Sequence, residues 1–163
     1  MKKMILMLAL VLPVLASAQK IGHINSQELL AAMPELKTVQ SKLDTLAGQY
    51  ETQFANMQEE FNKKVAAFQQ EQANMTAGVR DFRQQEIVEM EQRIQMFYQT
   101  AQKDIQAKQQ EFMVPIQQKM IDAVKKVAEA QGCDYVLEAM TLHYVSPSAL
   151  DLMPLVKKEL GIQ

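Results

Sequence analysis

From Leu36 to about Ala130 the chain carries one proline and two glycines, and is dense in Gln, Glu, Lys, Ala and Met. These residues lose little side-chain freedom in a helix, and so long a stretch without turn residues leaves few alternatives to helix. Apolar side chains recur mostly three or four residues apart: Leu36, Val39, Leu43, Leu46, Tyr50, Phe54, Met57, Phe61, Val65, Phe68 and Met75. That spacing places them along one seam of a helix. A second series of similar length runs from Val79 through Phe82, Ile87, Met90, Ile94 and Phe97 to Ile105, Phe112, Ile116, Met120, Val124 and Val127.

Between the two seams lies Asn74-Met75-Thr76-Ala77-Gly78, where a glycine meets residues that favour caps and turns. An antiparallel hairpin reversing near Thr76, with its tip over 74–80, sets Phe68 near Glu86 and Leu46 near Lys108. Two helices of roughly 40 residues then project about 60 Å at about 1.5 Å per residue. A single uninterrupted rod is the competing arrangement. The seams are rich in Phe and Met, unlike the Leu and β-branched seams of tight zippers, and are interrupted at Gln72, Glu86 and Gln109. Two helices cover only part of each other's apolar stripe, so some of that surface is left for a partner. Pro115 and Gly48 are candidate bending points, one in each helix.

Outside the hairpin, Lys20–Asn25, Asp134–Ala139 and Leu142–Val145 have the composition of short strands. Ser26 is a candidate cap for a helical turn through Leu29 and Leu30. Ser148 is a candidate cap for a last helix through Leu152, Leu155, Val156 and Leu160. The expected fold is mostly α with a small β head: residues 19–35 and 131–163 form the head, and 36–130 the hairpin arm. Three short strands and two small helices make too little core to stand alone and leave sheet edges open, which strands from other copies would complete.

Residues 1–18 read as a secretory signal peptide, with Lys2 and Lys3, an apolar run from Met4 to Leu15, and Ala16-Ser17-Ala18 before Gln19. The apolar run falls short of the roughly 20 residues that span a bilayer, and cleavage near Ala18-Gln19 would release a soluble protein. The whole chain has 17 basic and 19 acidic side chains; losing Lys2 and Lys3 leaves 15 basic groups and a net charge of −4. An acidic surface with interleaved lysines argues against a nucleic-acid partner. Cys133, the single cysteine, has no partner within the chain and reads as a small buried apolar residue.

No glycine-rich phosphate loop is present, because the five glycines are scattered. His23 and His143 lack the clustered cysteines or carboxylates of a metal centre, so neither a metal nor any other cofactor is expected. The acids are spread over polar helix faces, and a hairpin offers no enclosed pocket for a small substrate. The residues point away from an enzyme and towards a binding protein.

The order of elements resembles the Skp/OmpH family of periplasmic chaperones of outer-membrane proteins. The resemblance covers the chain after residue 18. It rests on Lys20-Ile21-Gly22-His23-Ile24-Asn25 with the Leu29-Leu30 turn, on the long hairpin, and most specifically on the run from Val127 through Gly132-Cys133-Asp134 to Ala139. It implies a homotrimer whose heads share an intersubunit β-barrel, and arms that hold unfolded outer-membrane proteins without ATP. Client-contact candidates are Phe54, Met57, Phe61, Phe68, Met75, Phe82, Met90 and Phe97. Head-assembly candidates are Ile21, Ile24, Val136, Leu137, Tyr144 and Val145. The mild acidity departs from the strongly basic members of the family. It argues against attraction to membrane lipid or lipopolysaccharide, apart from a small patch at Arg80 and Arg83. The rival reading is a periplasmic coiled-coil tether or assembly factor that binds one folded partner.

Overall fold

The computed structural model describes residues 19–162; the expected signal peptide lies outside the described residues. Strand β1 (Ile21–Ile24) leads into α1 (Ser26–Ala32), then the long helices α2 (Glu35–Glu71) and α3 (Ala77–Gln131). Strand β2 (Tyr135–Glu138), strand β3 (Leu150–Asp151) and helix α4 (Met153–Glu159) follow. The hairpin forms as the periodicity predicts, and its reversal passes through a 3₁₀ turn, Gln72–Asn74, and extended Met75 and Thr76. At about 1.5 Å per residue, α2 with 37 residues reaches about 55 Å and α3 with 55 residues about 80 Å.

Local chemistry sets the helix ends. Proline at 34 pushes Met33 to an extended conformation, φ −71° and ψ 125°, so α1 stops there and α2 starts in a new direction. The cap of α1 is Asn25, whose side chain accepts from Glu28 N at 3.0 Å. Ser26, the expected cap, is instead the first helical residue, one position inside. Helix α3 ends on Gly132 in the left-handed region, φ 65°. There the Cys133 N–H donates to Ala128 O at 2.9 Å and the Gly132 N–H to Glu129 O at 3.0 Å, the paired closure that satisfies orphan carbonyls at a helix end. Gly161 (φ 71°) closes α4 in the same manner, with Ile162 N donating to Lys157 O at 2.8 Å. The expected cap at Ser148 is not used. Asp151 Oδ1 accepts from Met153 N at 2.9 Å, and Pro154 stands in the first turn. Pro115 lies inside α3, which runs on through it without ending.

The sheet has the order β2-β1-β3, and both outer strands run parallel to β1. This overturns the expected strand at Leu142–Val145. With β2 and β3 parallel on either side of β1, the chain leaving β2 has to travel back along the sheet before β3 begins. Residues 139–149 make that return. A 3₁₀ turn at Ala139–Thr141 turns the chain out of β2. A turn at Ser146-Pro147-Ser148, where Ala149 N donates to Ser146 O at 2.9 Å, delivers it to β3.

The core sits between the inner face of the sheet, α1, α4 and the basal part of α3. Leu29, Leu152 and Val156 are fully enclosed, and Ile116, Met120, Ala123, Val127 and Ala128 of α3 form one wall. The head is therefore built on the base of the return helix, and α3 joins head to arm as one continuous element. Ion pairs bind the layers at their rim: Lys126 to Glu159 at 2.6 Å, Lys157 to Glu28 at 3.0 Å, and Lys119 to Glu35.

Candidate functional site

Beyond the head the two arm helices bury little. In α2 only Val39, near the base, is buried; in the distal part of α3 the buried residues are Met90, Ile94 and Ala101. The remaining seam residues are shared between the helix contact and solvent, as expected where two helices have no third to close over them. Cross-arm pairs fix the register. Tyr50 donates its hydroxyl to Asp104 Oδ2 at 2.8 Å, Lys64 reaches Glu86 at 3.5 Å, and the Lys42 ammonium stands 5.3 Å from the Phe112 ring centre. Phe68 and Glu86 line one recess, close to the expected pairing.

An aromatic cluster occupies the middle of the arm. Tyr50 meets Phe97 edge-on, with ring centroids 5.7 Å apart, and Phe54 lies tilted against Tyr98 at 6.1 Å. Ala47 and Ala101 leave room between the helices, and an open slot of about 240 Å³ results, walled by Tyr50, Phe54, Phe97, Tyr98 and Ile105. A distal recess of about 410 Å³ lies between Phe68, Met75 and Ile87, with Lys63, Lys64 and Arg83 around it. A basal groove of about 480 Å³ runs along Val39, Phe112, Pro115 and Ile116. All three are open at the surface and have mixed apolar and polar rims. They suit side chains of a polypeptide better than a small molecule held on all sides.

The candidate client residues separate by exposure. Phe82 is 63% exposed and Phe54 36%, while Met57, Phe61, Phe68, Met75 and Phe97 are half-buried. Met90 is 3% exposed, because it points into the helix contact; it belongs to the seam and offers no surface to a client. Tyr98, Met96 and Val114 are exposed and were not among the candidates. Tyr98 follows Ile94 by four residues, so its spacing was a usable signal. Met96 and Val114 lie off the main seam, and periodicity alone gives no reason to choose them.

In the head, the strand register sorts the candidates by face. Ile21 pairs with Tyr135 and His23 with Leu137, and these four side chains share the outer face. Ile21, Tyr135 and Leu137 are exposed there, and no described element covers them. Ile24, 3% exposed, and half-buried Val136 point to the inner face and pack with the core, so these two head-assembly candidates lie on the opposite face from Ile21 and Leu137. Tyr144 is 77% exposed and Val145 half-buried, both on the return segment between β2 and β3. Cys133 is half-buried, with its sulfur beside Gly22.

The perturbed titrations are those of ion pairs and hydrogen bonds on the surface. Lys119 holds the Glu35 carboxyl below its usual range, chiefly through their hydrogen bond, and Asp104 pushes the Tyr50 phenol up by accepting a hydrogen bond from its hydroxyl. Among the described residues no three His, Cys, Asp or Glu side chains gather as metal ligands, and no helix is long and apolar enough to cross a membrane.

With this architecture in view, the likenesses to known proteins run along nearly the whole described chain. The Chaperone protein Skp of Vibrio cholerae is 30% identical over 150 residues, covering 80% of this chain and 78% of that protein. The Chaperone protein Skp of Yersinia enterocolitica is 27% identical over 141 residues, 86% of each chain. A crystal structure of an OmpH-like outer membrane chaperone from Caulobacter crescentus superposes with a TM-score of 0.77. It covers 87% of this chain and 83% of that one at 16% identity, which is a likeness of fold. Residues 20–160 match the family described as Outer membrane protein (OmpH-like), and the chain belongs to that family.

Proposed function

We propose that this protein is an ATP-independent holdase of the periplasm that keeps unfolded outer-membrane β-barrel proteins from aggregating. The observation that carries the reading is the incompletely closed arm. Its Phe, Tyr and Met side chains are half-exposed along α2 and α3, in three open recesses with no enclosed pocket among them. Many weak apolar contacts of this kind hold unfolded chains of varied sequence and release them without an energy source. The relatives named as chaperones support the same reading. Phe54, Met57, Phe61, Phe68, Met75, Phe82 and Phe97 are the contact residues we assign, with Tyr98 added and Met90 left to the seam.

The head is assigned to self-assembly, as a homotrimer. Ile21, Tyr135 and Leu137 form an apolar outer sheet face, and the far edges of β2 and β3 have no strand beside them among the described residues. Leu142–Val145, with strand composition and no strand partner of its own, is available to a second copy. Residues 1–18 are assigned to export and removal.

Light scattering of several unrelated urea-unfolded barrel proteins, diluted with and without the protein, tests the function. Suppressed turbidity for all of them supports a holdase. Suppression for none, with capture of a single folded partner, would move the assignment to a tether.

A further inference from the structure

The outer face of the head sheet carries one imidazole in its centre. His23 lies in the middle strand, flanked by Leu137 of β2 on one side and Asp151 of β3 on the other. Its other neighbours on that face are Ile21 and Tyr135, and the register puts no lysine or arginine there. Among the described residues, Asp151 is the only charged group that faces it from a packed strand, and one oxygen of that carboxylate already accepts from Met153 N at 2.9 Å. Glu138, on β2, points to the inner face, where both its oxygens lie 3.1–3.2 Å from Ser26 N. No other element covers the outer face within the described chain.

We propose that assembly of the head is proton-linked through His23: copies join through the outer sheet face while the imidazole is neutral and separate when it is protonated. The inference rests on the assignment of that face to self-assembly. Covering the face takes the imidazole out of water among Ile21, Tyr135 and Leu137, and an unpaired charge is costly there. Closed assembly about an axis also brings several copies of His23 towards one another, so that protonated rings repel. A single half-engaged carboxylate per copy offsets part of this. The sign follows: the assembled state binds fewer protons than the separated one. Association is therefore complete above the ordinary histidine range near 6.5 and weakens as pH falls below it. Each histidine contributes up to about a tenfold loss in association constant per pH unit.

The test is the mass of the chain from residue 19 onward, measured by light scattering after size exclusion at about pH 8 and about pH 5, either side of the histidine range. Helicity is followed at both. The expected result is an oligomer at the higher pH that dissociates at the lower with its helicity intact. His23→Leu should stay assembled at both. An oligomer that persists at the lower pH, or a His23→Leu variant that still dissociates there, overturns the proton linkage and leaves self-assembly standing. A monomer at the higher pH overturns the assembly reading and the linkage together.

Discussion

The Tyr50 hydroxyl donates to the Asp104 carboxylate across the arm at 2.8 Å, a polar tie between the two helices beside the aromatic cluster of Tyr50, Phe54, Phe97 and Tyr98. The same tie pushes the Tyr50 phenol upward, because an ionised phenol would face the Asp104 charge without a proton to share. Its folded value is raised, so the contribution of this bond is present below the ordinary tyrosine range near 10 and is lost as pH rises through the folded value. In an ultraviolet absorbance titration one tyrosine should ionise later than the rest. Asp104→Asn should abolish that delay, and hydrogen exchange should then quicken between residues 97 and 105.

Client contact on the arm predicts a loss of holding without a loss of fold. Phe54 and Tyr98 are exposed and touch each other across the two helices, at 6.1 Å between ring centres. Replacing both with serine should leave the melting temperature within a few degrees and weaken affinity for an unfolded barrel protein roughly tenfold, given about 0.5–1.5 kcal/mol per aromatic contact beyond area burial. Fluorescence anisotropy of a labelled client gives the affinity. Unchanged binding would place the client elsewhere.

Gly22 lies where a strand passes against the core. A Cβ at this position would stand 2.8 Å from Leu152 Cδ1 and 3.3 Å from the Cys133 sulfur, and Leu152 is fully enclosed and has nowhere to move. Gly22→Ala should destabilise the protein by about 1–3 kcal/mol through overpacking. In urea denaturation Leu152→Ala should be strongly destabilising alone, yet the double variant should lose less than the two single losses combined.

Gly48 has the opposite setting. It lies within α2, and an added Cβ there would meet nothing within 4 Å. Gly48→Ala should stabilise the arm by about 0.5–1 kcal/mol, because the unfolded chain loses freedom and the helix gains a better former. Slower hydrogen exchange over the middle of α2 is the direct sign.

The Glu35–Lys119 pair gives a small acid dependence at the base of the arm. Glu35 is lowered in the folded state, so its contribution is present above the ordinary glutamate range near 4.3 and disappears as pH falls through the lower folded value. Both groups meet solvent, which holds the contribution below about 1 kcal/mol. Glu35→Gln should flatten the stability profile only in that acidic range.

The arm was legible in the sequence because one physical requirement repeats along it. Each turn of α2 and α3 needs an apolar residue at the helix contact, so the spacing from Leu36 to Val127 reports the hairpin many times over, and the cluster around Thr76 reports its reversal. The head offered less. Leu142–Val145 has the better strand composition, yet Leu150–Asp151 is the segment that lies beside β1; the parallel direction of β2 and β3, a property of the whole sheet, decides it. Asn25 and Ser26 are both good caps by composition; Asn25 takes the role, with its side chain on the Glu28 N–H, while the Ser26 N–H donates to Glu138 more than a hundred residues away. Met90 and Phe82 were equivalent as seam residues, but one points into the helix contact and the other out of it. A two-helix arm does not fix that facing by periodicity alone, because half of each stripe is uncovered.

The most direct measurement is the mass of the protein, residues 19 onward, alone and mixed with a urea-diluted outer-membrane barrel protein, by light scattering coupled to size exclusion at neutral pH. The expected result is a trimer that gains the mass of one soluble client. A monomer that leaves the client to precipitate would contradict both the shared head and the holding arm.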